Sequence, residues 1–111
     1  MPSTIHATMD ALLERLVRHV VKAMNPLEVW FFGSRAENRA RATSDYDLLV
    51  VMPDRTPEPE LDPVRAWRLG WEVRVTADII PCTRSEFDEE KYELDSLPRA
   101  AMLRGHKLYD R

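Results

Sequence analysis

The sequence predicts a mixed α/β domain, a small β-sheet flanked by helices, and three observations carry that expectation. Apolar residues recur every three or four positions ahead of residue 25; two short apolar runs, LEVWFF and DLLVVM, come next; and Thr83 with Glu86 forms a capping-box pair that opens a further helical stretch. Helices interleaved with short buried strands suit a layered sheet rather than a bundle or a sandwich. At 111 residues the chain has the length of one domain, and residues 1–111 are expected to fold as one unit.

Each element has its own signal. Ile5, Met9, Leu12, Leu13, Leu16, Val17, Val20, Val21 and Met24 make one apolar stripe, so a first helix is expected from Ile5 to Met24, with the Glu14–Arg18 pair on its wet face and Asn25-Pro26 as its stop. LEVWFF then reads as a buried strand. Residues 34–41, rich in Arg, Ala and Glu, suit a short helix that Ser34 could cap, and DLLVVM reads as a second strand. The segment PDRTPEPELDP, with four prolines and five charges, reads as a loop. A short helix over 62–70 ending at Gly70 is expected next, and then a third strand in WEVRVTADII alternating from Val73, with Arg74, Thr76 and Asp78 on one face. The capping box predicts a helix over about 84–93. Asp95 or Ser96 before Pro98 opens another that Gly105 closes, and KLY is expected as an edge strand.

Bulk properties narrow the function. Sixteen Lys and Arg against nineteen Asp and Glu give a net charge of -3, which argues against strong nonspecific nucleic-acid binding. One cysteine, Cys82, allows no internal disulfide and no cysteine cluster for zinc, as suits a reducing cytoplasm. The apolar runs are too short to span a bilayer and the N-terminal region carries charges, so neither a membrane segment nor a signal peptide is expected. His6, His19 and His106 lack metal-ligand spacing with one another or with cysteine and are given no role.

The chemistry concentrates in FFGSRAENRARATSDYDLLV. Asp45 and Asp47 flank Tyr46, so an extended chain puts both carboxylates on one side, where a shared hard cation such as Mg²⁺ would offset their repulsion. Gly33 lets the backbone come close to a bulky ligand where a strand turns, and Ser34 adds a hydroxyl. Free N–H groups beginning a helix there would favour a phosphate. A phosphate cradle facing a pair of Mg²⁺ ligands is the minimum equipment for handling a nucleoside triphosphate. Each residue also has a structural reading: Gly33 as a plain turn, Ser34 as a cap, Asp45 and Asp47 as turn formers before a strand, Asp78 as a salt-bridge partner of Arg74 or another arginine. Arg35, Arg39 and Arg41 could reach phosphates, Arg35 best of the three. Trp67 and Trp71 are expected to pack in the core rather than to stack on a base.

Glycine, serine, ten residues, then Asp-x-Asp is the arrangement Gly33, Ser34, residues 35–44, Asp45, Tyr46, Asp47. With it the chain resembles the nucleotidyltransferase superfamily related to DNA polymerase β, and within it the minimal nucleotidyltransferases. Asp78 in VTADII is the counterpart of a third acid on a later strand, and the ending SLPRAAMLRGHKLYDR resembles the C-terminus of these small proteins. Glu37 and Asn38 depart from the pattern, standing where many relatives have a glycine. The resemblance implies the nucleotidyltransferase fold. It implies that Gly33, Ser34 and Arg35 hold the triphosphate of ATP. It implies that Asp45, Asp47 and Asp78 form a catalytic Mg²⁺ site, with Asp78 completing it or accepting the proton of the attacking hydroxyl. Minimal nucleotidyltransferases pair with small helical HEPN-family RNase toxins and act as antitoxins, transferring AMP to a tyrosine of the toxin. The expectation is therefore a Mg²⁺-dependent adenylyltransferase in a hetero-oligomer with a HEPN partner, since little chain remains for an acceptor-binding domain. A non-catalytic, binding-only antitoxin and a transferase acting on a small molecule or RNA end are the alternatives.

Overall fold

Ala11–Met24 is a helix (α1) because of its stripe and its caps. Leu13, Leu16, Val17 and Val20 are buried at helical spacing, Asp10 accepts a hydrogen bond from the Leu13 N–H, and Asn25 ends the helix in the left-handed conformation, φ 49°. The computed structural model describes residues 4–5, 10–39 and 45–111. In chain order the elements are β1 (Thr4–Ile5), α1, β2 (Glu28–Phe32), β3 (Tyr46–Met52), a 3₁₀ turn (Glu58–Leu61), α2 (Pro63–Glu72), β4 (Ala77–Thr83), α3 (Arg84–Glu90), α4 (Leu97–Arg104) and β5 (His106–Asp110). Among the described residues they build one mixed sheet of five strands in the order β1-β5-β2-β3-β4. β3 and β4 run parallel, as the α2 crossover between them requires; the other pairings described are antiparallel.

Strand alternation splits β3 between two cores. Tyr46, Leu48, Val50 and Met52 face α1 and α2, meeting Leu16, Val17, Val20 and Ala66. Leu49 and Val51 belong to the opposite layer with Phe32, Phe87 and Ala101, where the Trp30 and Phe87 rings stack at 5.6 Å. The capping box at Thr83 and Glu86 starts α3, and Ser96 caps α4. The mixed α/β architecture is the one the sequence predicts.

Several boundaries move for physical reasons. Ile5 lies in β1, paired with Tyr109, and not in the first helix; Met9 falls outside the described residues. Residues 34–38 form hydrogen-bonded turns instead of a helix capped by Ser34, and residues 40–41 of that expected helix are outside the described residues. Asn38 sits at φ 57°, supplying the left-handed backbone that a glycine commonly provides. The proline segment holds a 3₁₀ turn. α2 runs through Gly70 to Glu72, so residues 73–76 are not strand, and Arg74 takes φ 59° in the connection. α3 stops at Glu90, short of residue 93. The KLY segment is interior, with β5 between β1 and β2.

Gly70 is where α2 meets its own exit. A Cβ there would lie 2.6 Å from the Val75 carbonyl oxygen. Alanine normally stabilises a helix interior by about 1 kcal/mol over glycine. At this position the clash with backbone should reverse the sign, and Gly70→Ala is expected to lose about 1–3 kcal/mol in urea unfolding. A gain in stability would show that the α2–β4 connection yields.

Candidate functional site

The site is assembled by strand register. Phe32 of β2 faces Asp47 of β3, and Asp47 faces Asp78 of β4, so Gly33, directly after β2, and the two acids gather at one end of three neighbouring strands. By alternation Asp47 and Asp78 share the face that carries Leu49 and Ile80 farther along, while α3 and α4 cover the apolar part of that face. Asp47 is half-buried and Asp78 exposed.

Gly33 answers two constraints together. Its φ is +83°, and a Cβ would overlap the Asp47 carboxylate. The main chain of the turn therefore runs directly against one of the acids. The turn itself is anchored: the Glu37 N–H donates to the Gly33 carbonyl at 3.1 Å and the Arg39 N–H to the Ser34 carbonyl at 2.8 Å. Ala36 is buried, its carbonyl lies 3.3 Å from His106 Nε2, and Glu37 contacts Arg104 of α4 at 3.8 Å.

Burial first, then the negative charges of Asp78 and Asp45, and then a hydrogen bond with Asp78 push the Asp47 carboxyl up to about 6. Asp47 and Asp78 thus come together, with Asp45 contributing its charge from the residue before β3. Among the described residues no three His, Cys, Asp or Glu side chains close around a ready metal cage. The donor set still fits a divalent cation: hard oxygens only, crowded like charges, and coordination positions open to water or phosphate.

The far face of β3 holds a clamp that the sequence reading missed. Tyr46 donates its phenolic hydrogen to Asp10 Oδ2 at 3.0 Å, and the Arg35 guanidinium sits 4.5 Å from the Tyr46 ring centroid. Burial and the Asp10 carboxylate hold that phenol above its ordinary range. The clue was the position of Tyr46 between the two acids. His106, given no role from sequence, anchors the turn.

One expectation needs correction here, and one rival reading falls away. Arg74, the rival salt-bridge partner of Asp78, lies in the α2–β4 connection, and no ion pair joins the two. Trp67 and Trp71 are not core residues: they are 43% and 71% exposed and lean on each other at 5.8 Å. Arg39 reaches Glu37 at 3.1 Å, and Arg41 is outside the described residues.

Comparison with known proteins gives the family and the fold. The family described as nucleotidyltransferase domain matches residues 12–102. A presumed nucleotidyltransferase from Sulfolobus solfataricus superposes with a TM-score of 0.57 at 24% identity, over 90% of this chain and 78% of that one. A toxin–antitoxin structure with AMP-PNP gives 0.61 at 16% identity, over 88% and 73%. Both are likenesses of fold. No curated protein matches the chain by sequence.

Because the folded state raises Asp47 to about 6, this carboxyl contributes stability that is full below the ordinary carboxylate range and is lost as pH rises through 6. In EDTA at pH 7.5, Asp47→Asn is therefore expected to melt above the parent chain, with the gap closing near pH 4. Mg²⁺ at pH 7.5 should raise the parent's Tm and leave the variant's unchanged. A gap independent of pH would remove the charge-crowding account.

Proposed function

We propose that this chain, which belongs to the nucleotidyltransferase domain family, is a Mg²⁺-dependent protein adenylyltransferase of the cytoplasm that acts as the antitoxin of a HEPN-family toxin, moving AMP from ATP onto a toxin tyrosine. The observation that carries the reading is the in-register pair Asp47 and Asp78 beside a glycine turn whose backbone lies against Asp47. The toxin–antitoxin likeness in fold supports the choice of partner.

Asp45, Asp47 and Asp78 would hold the Mg²⁺. When bound, the cation neutralises charge on the phosphate oxygens. The Gly33 backbone and the Ser34 hydroxyl bind and orient the triphosphate, and Arg35, which rests on the Tyr46 ring at the other face of β3, would turn from it to reach a phosphate. Asp78 takes the proton of the tyrosine hydroxyl as its oxygen bonds to the α-phosphorus. The bond from that phosphorus to the α–β bridging oxygen breaks, and pyrophosphate leaves with the electron pair. AMP remains as a phosphodiester on the tyrosine. Positioning and charge stabilisation supply most of the rate in a displacement of this kind.

Incubation of the chain with ATP, Mg²⁺ and its toxin partner should increase the toxin's mass by one AMP group per modification. Asp45→Asn with Asp47→Asn should abolish the transfer and the Mg²⁺-dependent binding of ATP seen by calorimetry. Asp78→Asn should lower transfer by about 10²-fold or more while disturbing ATP affinity less, because an amide cannot act as the base. Neutralisation of the toxin without a mass increase, and equally by the Asp45 and Asp47 variants, would make the protein a binding-only antitoxin.

A further inference from the structure

The most exposed large apolar side chain among the described residues is Leu94, 81% in water, and Tyr92 near it is 74% exposed. They stand on the short connection between α3 and α4, and that connection is a built turn: the Glu90 carbonyl accepts both the Glu93 N–H at 2.9 Å and the Ser96 hydroxyl at 2.5 Å, and Asp95 takes φ 65°. A hydrogen-bonded turn that holds a leucine out in water is a knob set in advance. Its charge is of one sign. Glu89, Glu93 and Asp95 are exposed and have no ion-pair partner among the described residues.

The reverse of that shape and charge lies on α2. Val64, Trp67, Arg68 and Trp71 follow one another at helical spacing on the outer face of the helix, the two tryptophans lean on each other at 5.8 Å, and a cavity of about 500 Å³ opens between this pair, Arg74 and Thr76. Arg68 and Arg74 are exposed and have no ion-pair partner among the described residues. The hollow takes an aliphatic knob, and its two guanidinium groups meet a rim of carboxylates. The two surfaces cannot meet within one molecule. α2 lies on the sheet face that Leu48 and Val50 share with α1, while α3 and α4 cover the face of Leu49 and Val51.

We infer that the α3–α4 turn docks on the α2 face of a second copy of this chain, seating Leu94 and Tyr92 against Trp67 and Trp71 with Glu93 and Asp95 on Arg68 and Arg74. The contact is heterologous: one copy gives the turn and the next gives the α2 face, so copies add head to tail into a ring or an open chain. The match on a single chain names the occupant, because a molecule of net charge -3 binds its own kind by placing unpaired acids on unpaired arginines. Contiguous exposed aromatic and aliphatic groups mark an interaction surface, and here both halves of the interface are present. The inference stands apart from the adenylyltransferase reading, since neither surface uses Asp45, Asp47 or Asp78.

Sedimentation velocity of the full chain reads the contact. Between about 5 and 500 µM the parent should pass from monomer to larger species, and raised salt should reverse the change. Leu94→Ser and Trp71→Ala alter side chains that are mostly in water, so each should keep the parent's Tm and weaken self-association about tenfold or more. Mixed together, these two variants should form a one-to-one complex that grows no further, because the intact turn of one meets the intact α2 face of the other and the two surfaces left over are both damaged. Arg68→Glu and Glu93→Arg should each fall apart alone and associate on mixing, and this pair decides the matter should either of the first two lose its fold. A parent chain that stays monomeric throughout, or mixtures no larger than their separate components, would overturn the proposal. So would a dimer that Trp71→Ala dissolves and Leu94→Ser leaves intact, which would set two α2 faces against each other. A monomeric parent whose tryptophan emission shifts when the toxin partner is added would give the α2 face to that partner and overturn it too.

Discussion

Two carboxylates set side by side across a parallel ladder repel, and the fold holds them there regardless. Asp47 and Asp78 are register partners, so neither can leave the other without slipping β3 against β4. The apolar interiors of the two strands prevent that slip: Leu48, Val50 and Ile79 face the α1–α2 core, and one residue of shift would turn that set to the wrong side. Burial of the strand interiors thus fixes an electrostatically unfavourable end. The raised proton affinity of Asp47 records the cost, and a site that gains from an added cation is its chemical consequence.

The same constraint explains the turn that precedes β3. Because residue 33 takes φ +83° and a Cβ there would push the Asp47 carboxylate out of its place, glycine is the residue that leads from β2 into the turn without strain. The turn is then held away from collapse on the acids by contacts made elsewhere: Ala36 in the core, His106 on its carbonyl, Arg104 on Glu37. Across the sheet, Tyr46 is pinned to the α1 cap through Asp10 and carries Arg35 on its ring. Acids on one face of β3 and a clamp on the other make a preorganised strand end, which is what a reaction governed by positioning needs.

How much of this was legible in the sequence depended on the range of the interaction. The spacing from Gly33 and Ser34 to Asp45 and Asp47 is local, and it pointed to the site before any fold was drawn. The capping box at Thr83 and the helix stripe of α1 are local too. The errors came from packing that no local pattern encodes. The alternation in WEVRVTADII was real, but α2 persists past Gly70 because its backbone packs on Val75 and Ala77, leaving 73–76 as the connection. Ile5 continues the helical period yet pairs with Tyr109 at the other end of the chain. Trp67 and Trp71 have the spacing of core residues, and only the sheet order shows that the helix face they occupy hangs beyond the last strand.

The outer edge of that last strand runs past Asp78. An open edge invites pairing with other chains, and proteins commonly blunt it with proline, charge or cover. β4 is blunted at its far end by Pro81 and by the capping of Thr83, and flanked by α2 near its start. On either side of Asp78 the strand is covered as well, with Ala77 and Ile79 buried in the core beneath α2. The Asp78 side chain nonetheless projects into water from between two buried neighbours, so this end of β4 is closed to strand pairing and open to a ligand that meets the carboxylate itself.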